Sequence, residues 1–149
     1  MRFVRIFFAC LIFIWGLCFK SFSQEFNFES YNQDNGLSPL YIYDISQGPK
    51  GRIFLGTEGG VVVFDGYTFL KFNTSDSLSE DIVLSLQITK NGSIVLGHFQ
   101  EGITIGENGK YHKVKSKTLT GIKISGFAEH NSGKIFIALA FKSNDLLRV

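Results

Sequence analysis

The feature that most limits what this chain can fold into is an internal repeat. The segment Gly-Arg-Ile-Phe-Leu-Gly at Gly51 to Gly56 recurs as Gly-Ser-Ile-Val-Leu-Gly at Gly92 to Gly97. A third copy, Gly-Lys-Ile-Phe-Ile-Ala from Gly133 to Ala138, follows at the same spacing, a period of about 40 residues. The identical offset links Leu37, Leu78 and Leu119, then Ile42, Val83 and Ile124, then Ile45, Leu86 and Phe127. It also reaches backwards, because Phe28, Tyr31 and Asn32 stand one period before Phe69, Phe72 and Asn73. Apolar character held at one offset through successive copies marks each copy as one structural unit, which buries its faces by stacking on its neighbours.

Each unit reads as four short strands. In the first, Leu40 to Ser46 alternates apolar and polar, Gln47 to Gly51 is a turn, and Arg52 to Leu55 is a second strand. After the corner Gly56 to Gly60, the continuously apolar Val61 to Phe64 suits a strand buried on both faces. Asp65 and Gly66 then signal a hairpin, and Tyr67 to Phe72 closes the unit. The second unit repeats the plan as Ile82 to Ile88, Ser93 to Leu96, Gly102 to Ile105 and Lys110 to Val114, with one residue inserted around His98 to Glu101. Sixteen Gly and sixteen Phe against two Pro in 149 residues agree with sheet packing punctuated by glycine turns. Four antiparallel strands at a period near 40 are the pattern of a β-propeller blade. The expected fold is therefore all-β, with about three blades of an incomplete propeller, since closed propellers have roughly 4 to 8. The expected boundaries are a lone outer strand at 26–32, blades at 36–76 and 77–118, and an incomplete blade at 119–149.

Residues 1–23 stand apart as a signal peptide. Arg2 and Arg5 form a positive start, and the chain from Ile6 to Phe19 is an unbroken apolar run. That run is short of the ~20 residues a spanning helix needs. Ser21 and Ser23 place small residues three and one before a cut between Ser23 and Gln24. An uncleaved anchor ranks second. A lipoprotein on Cys10 or Cys18 ranks third, because Leu17 is too large for a good lipobox and Cys10 leaves too little apolar run before it. Of the 15 Lys and Arg, three (Arg2, Arg5 and Lys20) leave with the leader, so 12 remain against 13 acidic residues. Both cysteines leave too, which excludes disulfides, a thiolate nucleophile and a cysteine metal site from 24–149. Near-neutral charge excludes a strongly basic nucleic-acid binder. The expected location is exported, periplasmic or otherwise extracytoplasmic.

A search for chemistry returns few candidates, and no cofactor or metal is expected. His98, His112 and His130 are too widely separated for zinc-type spacing and read as scattered surface histidines. Ser125 before Gly126 lies in an inner strand, and Asp34, Asn35 and Gly36 read as a turn. Glu58 and Glu101 occupy related corners and read as solvated loop acids rather than an acid/base pair. Lys110, Lys113, Lys115, Lys117 and Lys123 read as the exposed face of an outer strand, where lysine blocks edge pairing. Propeller ligands are gripped by loops that converge at one end of the scaffold. The candidate loop residues are therefore Thr57, Glu58, His98, Phe99, Gln100 and Glu101. Phe99 could stack on a sugar or peptide and Gln100 could hydrogen-bond it; the competing role for Phe99 is packing between blades.

Asn-Gly-Leu-Ser at Asn35 to Ser38, followed by the run from Ile42 to Phe69 with its Gly-Thr corner and Phe-Asp-Gly, resembles the two-component-regulator propeller repeat. The resemblance covers about residues 25 to 149 and is strongest in the first unit. Departures are Phe54, Val95 and Phe136 where the family usually has Trp, and Gly97-His98 and Ala138-Leu139 in place of the Gly-Thr corner. The resemblance implies the N-terminal extracytoplasmic sensor part of a bacterial sensor histidine kinase or hybrid two-component regulator. It implies a small glycan or peptide ligand, further blades, and signalling domains beyond a cytoplasmic-membrane anchor. Nothing in the chain resembles a kinase segment, so the chain itself is expected not to be an enzyme. The alternative is a stand-alone secreted propeller, a binding protein or a lyase- or glycosidase-type enzyme acting on glycans. An incomplete ring would leave apolar blade faces open to self-association.

Overall fold

The computed structural model of the protein describes residues 26–38 and 41–140. The expected leader, its expected Ser23–Gln24 cleavage point and the end of the third unit lie outside these residues. The described residues fall into two units, 26–30 and 31–140. In the first, the rings of Phe26 and Phe28 stack with centroids 6.3 Å apart.

The second unit is all-β. Strands β1 (Ile42–Gln47), β2 (Ile53–Thr57), β3 (Gly60–Phe64) and β4 (Phe69–Phe72) form a four-stranded antiparallel sheet in chain order. A second such sheet contains β5 (Val83–Ile88), β6 (Ile94–His98), β7 (Ile103–Glu107) and β8 (Lys110–Val114). In the third, β9 (Lys123–Glu129) pairs antiparallel with β10 (Ile135–Ala140).

The period of the sequence is written into the backbone. Gly48, Thr89 and His130 donate their N–H groups to the carbonyls of Arg52, Ser93 and Lys134 at 2.7, 2.8 and 2.8 Å, closing the same turn three times. Each of those turns contains a glycine at positive φ: Gly51 (77°), Gly92 (85°) and Gly133 (80°). The innermost strands share a bulge, between Ile42 and Asp44, between Val83 and Ser85, and where Ile124 and Gly126 face Leu139 and Ala138. The entries to the first two sheets are matched as well. Asn32 Oδ1 accepts from the Asp34 N–H at 2.9 Å, and Asn73 Oδ1 accepts from the Ser75 N–H at 2.8 Å.

Alternation along the strands explains the packing. One face of the first sheet carries Phe54, Val61 and Val63, which cluster with Ile94, Leu96 and Tyr111 of the second sheet. The opposite face of the second sheet carries Val95 and Ile103, which cluster with Ile124 of β9. Gly97 permits the second contact: a Cβ there would lie 2.6 Å from Ile124 Cγ2. Polar groups also cross between sheets. Asp44 Oδ2 accepts from the Leu86 N–H at 2.8 Å, and Ser85 Oγ donates to the Ile124 carbonyl at 3.1 Å. On the far face of the third sheet, Phe136 is 50% exposed.

Three expectations are corrected. Residues 26–32 form no strand; the chain instead turns at the Asn32 cap, and Tyr31 packs its ring against Phe64 and Phe69 at 5.0 and 5.6 Å. The fourth strand starts at Phe69 rather than Tyr67, because Asp65 Oδ1 takes the N–H groups of Tyr67 and Thr68 out of the ladder. The lysines do not share one strand face: Lys110 and Lys113 lie on β8 but on opposite sides of it, and Lys123 begins the inner strand β9.

Candidate functional site

Antiparallel chain order sends the β2–β3 and β6–β7 corners, with the β4–β5 and β8–β9 connections, to one end of the sheets. All six candidate loop residues belong to that end, but they differ sharply in access. Thr57 is fully buried; its Oγ1 donates to the Gly60 carbonyl at 2.8 Å and accepts from the Gly59 N–H at 3.1 Å. The hydroxyl therefore closes its own corner. Glu58 is half-buried, and its N–H donates to the Tyr41 carbonyl at 3.2 Å.

His98 corrects the surface-histidine reading, since its relative exposure is 0%. It occupies the position of Thr57 one repeat on, and like Thr57 it is enclosed by its own corner. Nε2 lies 2.7 Å from Thr104 Oγ1 and Nδ1 lies 3.3 Å from the Ile82 carbonyl. Thr104 Oγ1 in turn accepts from the Ser79 N–H at 2.9 Å. A carbonyl only accepts, so the ring carries its proton on Nδ1 toward Ile82, and Nε2 shares the Thr104 hydroxyl proton with Ser79 Oγ, which lies 3.1 Å from Thr104 Oγ1. Burial lowers the His98 pKa, outweighing the Ile82 hydrogen bond and the nearby Glu80 and Asp81 charges, which raise it. The ring is neutral at pH 7. His112 and His130 are exposed.

The exposed part of the loop is Phe99, Gln100 and Glu101. Glu80 organises it: one carboxylate oxygen accepts the N–H groups of Gln100 and Glu101 at 2.8 and 3.1 Å. From the other side, the Gly121 N–H donates to the Gln100 carbonyl at 2.6 Å, and Glu101 bridges to Thr120. The loop is thus pinned by the connections before and after its sheet, leaving the Phe99 ring 40% exposed. Such an arrangement presents an aromatic face beside a side-chain amide and a carboxylate, suited to hydrogen-bonding a polar ligand rather than to covalent chemistry. Glu80 carries no repeat signal, since Pro39 and Gly121 stand at its offset, and only the folded chain reveals its role. Ser125 is exposed, with Oγ donating to the Ala138 carbonyl at 3.1 Å. Among the described residues no group of three His, Cys, Asp or Glu converges to hold a metal.

No family model matches the chain. Over 81 residues it is 33% identical to histidine kinase P4 of Formosa agariphila. The aligned stretch is 53% of this chain but only 6% of that protein, so the chain is similar to a small part of a much longer histidine kinase.

Proposed function

We propose that this chain is the extracytoplasmic sensing portion of a two-component signalling protein, built from β-propeller blades of the two-component-regulator type and exported by the leader at 1–23. The observation that carries the reading is the 33% identity over 81 residues to a histidine kinase of which that stretch is 6%. The aligned segment is over half of a chain whose described residues form two four-stranded antiparallel sheets and a two-stranded one. On this reading the pinned loop with Phe99, Gln100 and Glu101 meets the ligand, a glycan or peptide. Thr57 and His98 hold the corners from inside. The remaining blades, a membrane anchor and the kinase belong to a longer parent, and ligand binding biases that parent between two arrangements.

Reading the coding DNA beyond Val149 in all three frames is the first test. Further repeats of about 40 residues, an apolar span of about 20 and a kinase region are expected. A stop followed by unrelated sequence would overturn the sensor reading. The second test measures autophosphorylation of that parent with a panel of oligosaccharides and peptides. The responsive ligand should lose its effect on Phe99→Ala and Gln100→Ala.

A further inference from the structure

At the end of the sheets opposite the candidate loops, a cleft of about 260 Å3 opens between the first and second sheets. This is near the small end of ligand-binding cavities. Its walls are apolar: Phe54, Leu70, Phe72, Ile94 and the ring of Tyr111. The Phe72 and Tyr111 rings lie 5.1 Å apart, and Tyr111 is only 8% exposed. Burial pushes the Tyr111 pKa up to about 12, so its hydroxyl stays protonated at neutral pH. Gly106 makes room for that ring, since a Cβ there would stand 2.7 Å from Tyr111 Cε1.

Two opposite charges stand on the lining of this cleft without neutralising each other. The Arg52 guanidinium lies 5.7 Å from the centre of the Phe54 ring, and among the described residues it forms no ion pair or hydrogen bond. Asp65 Oδ1 accepts from the Tyr67 and Thr68 N–H groups at 2.9 and 2.8 Å, and Oδ2 accepts from Thr68 Oγ1 at 3.1 Å. The backbone bonds from Thr68 and Tyr67 lower its pKa, keeping the carboxylate ionised, and Oδ2 retains acceptor capacity.

The repeat supplies an internal control. In the corresponding cleft between the second and third sheets, Ser93 stands where Arg52 would be, Val95 replaces Phe54, and Glu107 takes the place of Asp65 after the inserted residue. There the polar groups satisfy one another. Ser93 Oγ donates to Glu107 at 3.2 Å, the Lys90 N–H to Glu129 at 2.8 Å, and Lys90 Nζ to Asn131 at 3.0 Å. A purely structural requirement would recur in both clefts. Aromatic walls with an open cation and an open anion occur only in the first.

We propose that the first cleft binds a small zwitterion, an α-amino acid with an apolar side chain. Its carboxylate meets the Arg52 guanidinium, whose planar fork matches two carboxylate oxygens. Its ammonium meets Asp65, and its side chain lies against Phe54, Phe72 and Tyr111. A ligand with one charge would leave either Asp65 or Arg52 facing a like charge, which is why a zwitterion fits better than a simple acid or amine. The site is separate from the loop end and does not depend on the chain belonging to a sensor.

Isothermal titration of the full chain with L-phenylalanine tests this, alongside 3-phenylpropionate and 2-phenylethylamine, which each lack one charge. Saturable binding of L-phenylalanine is expected, with each singly charged probe at least about tenfold weaker. Arg52→Gln and Asp65→Asn should each weaken L-phenylalanine about tenfold, and Asn keeps an oxygen to accept the Tyr67 and Thr68 N–H groups of the turn. Arg52→Gln should also erase the preference for L-phenylalanine over 2-phenylethylamine. No saturable heat up to about 10 mM, or equal binding of the three probes, overturns the proposal. If a variant fails to fold, the three probes on the unaltered chain decide the matter alone.

Discussion

The β2–β3 corner and the β6–β7 corner begin from the same repeat position and end as different devices. At the first, Thr57 bonds to the carbonyl of Gly60, and the corner is closed by its own atoms. At the second, one inserted residue and a histidine replace that local closure with a buried chain from the Ser79 N–H through Thr104 to His98 and the Ile82 carbonyl. The first corner is closed by an uncharged hydroxyl. The second ties its loop to the connection leading into its own sheet and contains a group that titrates. A repeat scaffold thus tolerates new chemistry at a corner so long as the buried polar atoms find partners, and the partners can lie far away in the chain.

The sharpest way to break this comparison is at the corner glycines. Gly60 has φ of 121°, and the backbone carbonyl of Phe72 occupies the space a Cβ would need. Gly60→Ala should cost roughly 3 kcal/mol in urea unfolding. Gly102, with φ of 71° and Leu119 Cβ at 3.3 Å from a new Cβ, should cost about 1 kcal/mol as Ala. Equal losses would mean that the first corner is not the tighter one. Next come the hydroxyls. Thr104→Val strands both the Ser79 N–H and His98, for an expected loss of about 2 kcal/mol, while Thr57→Val should cost about 1 kcal/mol. The reverse order in thermal unfolding would sink the networked reading of the second corner.

The pH dependence has a definite sign. The His98 pKa is lower folded than unfolded, so between the two values the unfolded chain binds more protons. Its contribution is fully present above the unfolded value of about 6.5 and is lost as pH falls toward the folded value. The slope can reach about 1.4 kcal/mol per pH unit. Unfolding free energy measured from pH 7 to pH 5 should fall, and His98→Thr, which restores the residue of the first corner, should flatten that fall. Parallel curves for the two proteins would remove His98 as the titrating group. The smallest effect belongs to the exposed Lys90 side chain, whose bond to Asn131 spans the second and third sheets. Lys90→Ala should change stability by less than about 0.5 kcal/mol.

Much of the architecture was legible because it is local and periodic. Gly51, Gly92 and Gly133 mark turns that any chain with glycine at that offset would favour, and the continuously apolar run Val61 to Phe64 foretold a strand buried on both faces. The failures have physical causes. The strand expected at 26–32 is not formed, because a strand needs a partner's ladder and residue type alone does not supply one. Tyr67 and Thr68 look like strand residues, yet Asp65 captures their N–H groups. His98 read as exposed because three scattered histidines usually are. Its burial depends on Ile82, Ser79 and Thr104, which only the folded chain brings together.

The two ends of the molecule divide along the same line. By itself the sequence determined the units, their order, the turns between their strands and the apolar faces that stack, since these follow from short-range preferences repeated from one unit to the next. Only the tertiary structure decided which polar groups are desolvated and which stay open. Thr57 and His98 go inside, Glu80 becomes the anchor of the exposed loop, and Arg52 and Asp65 stand unpaired on one cleft. Those outcomes depend on how one sheet lies against the next, and desolvation is a property of that contact rather than of any residue in it.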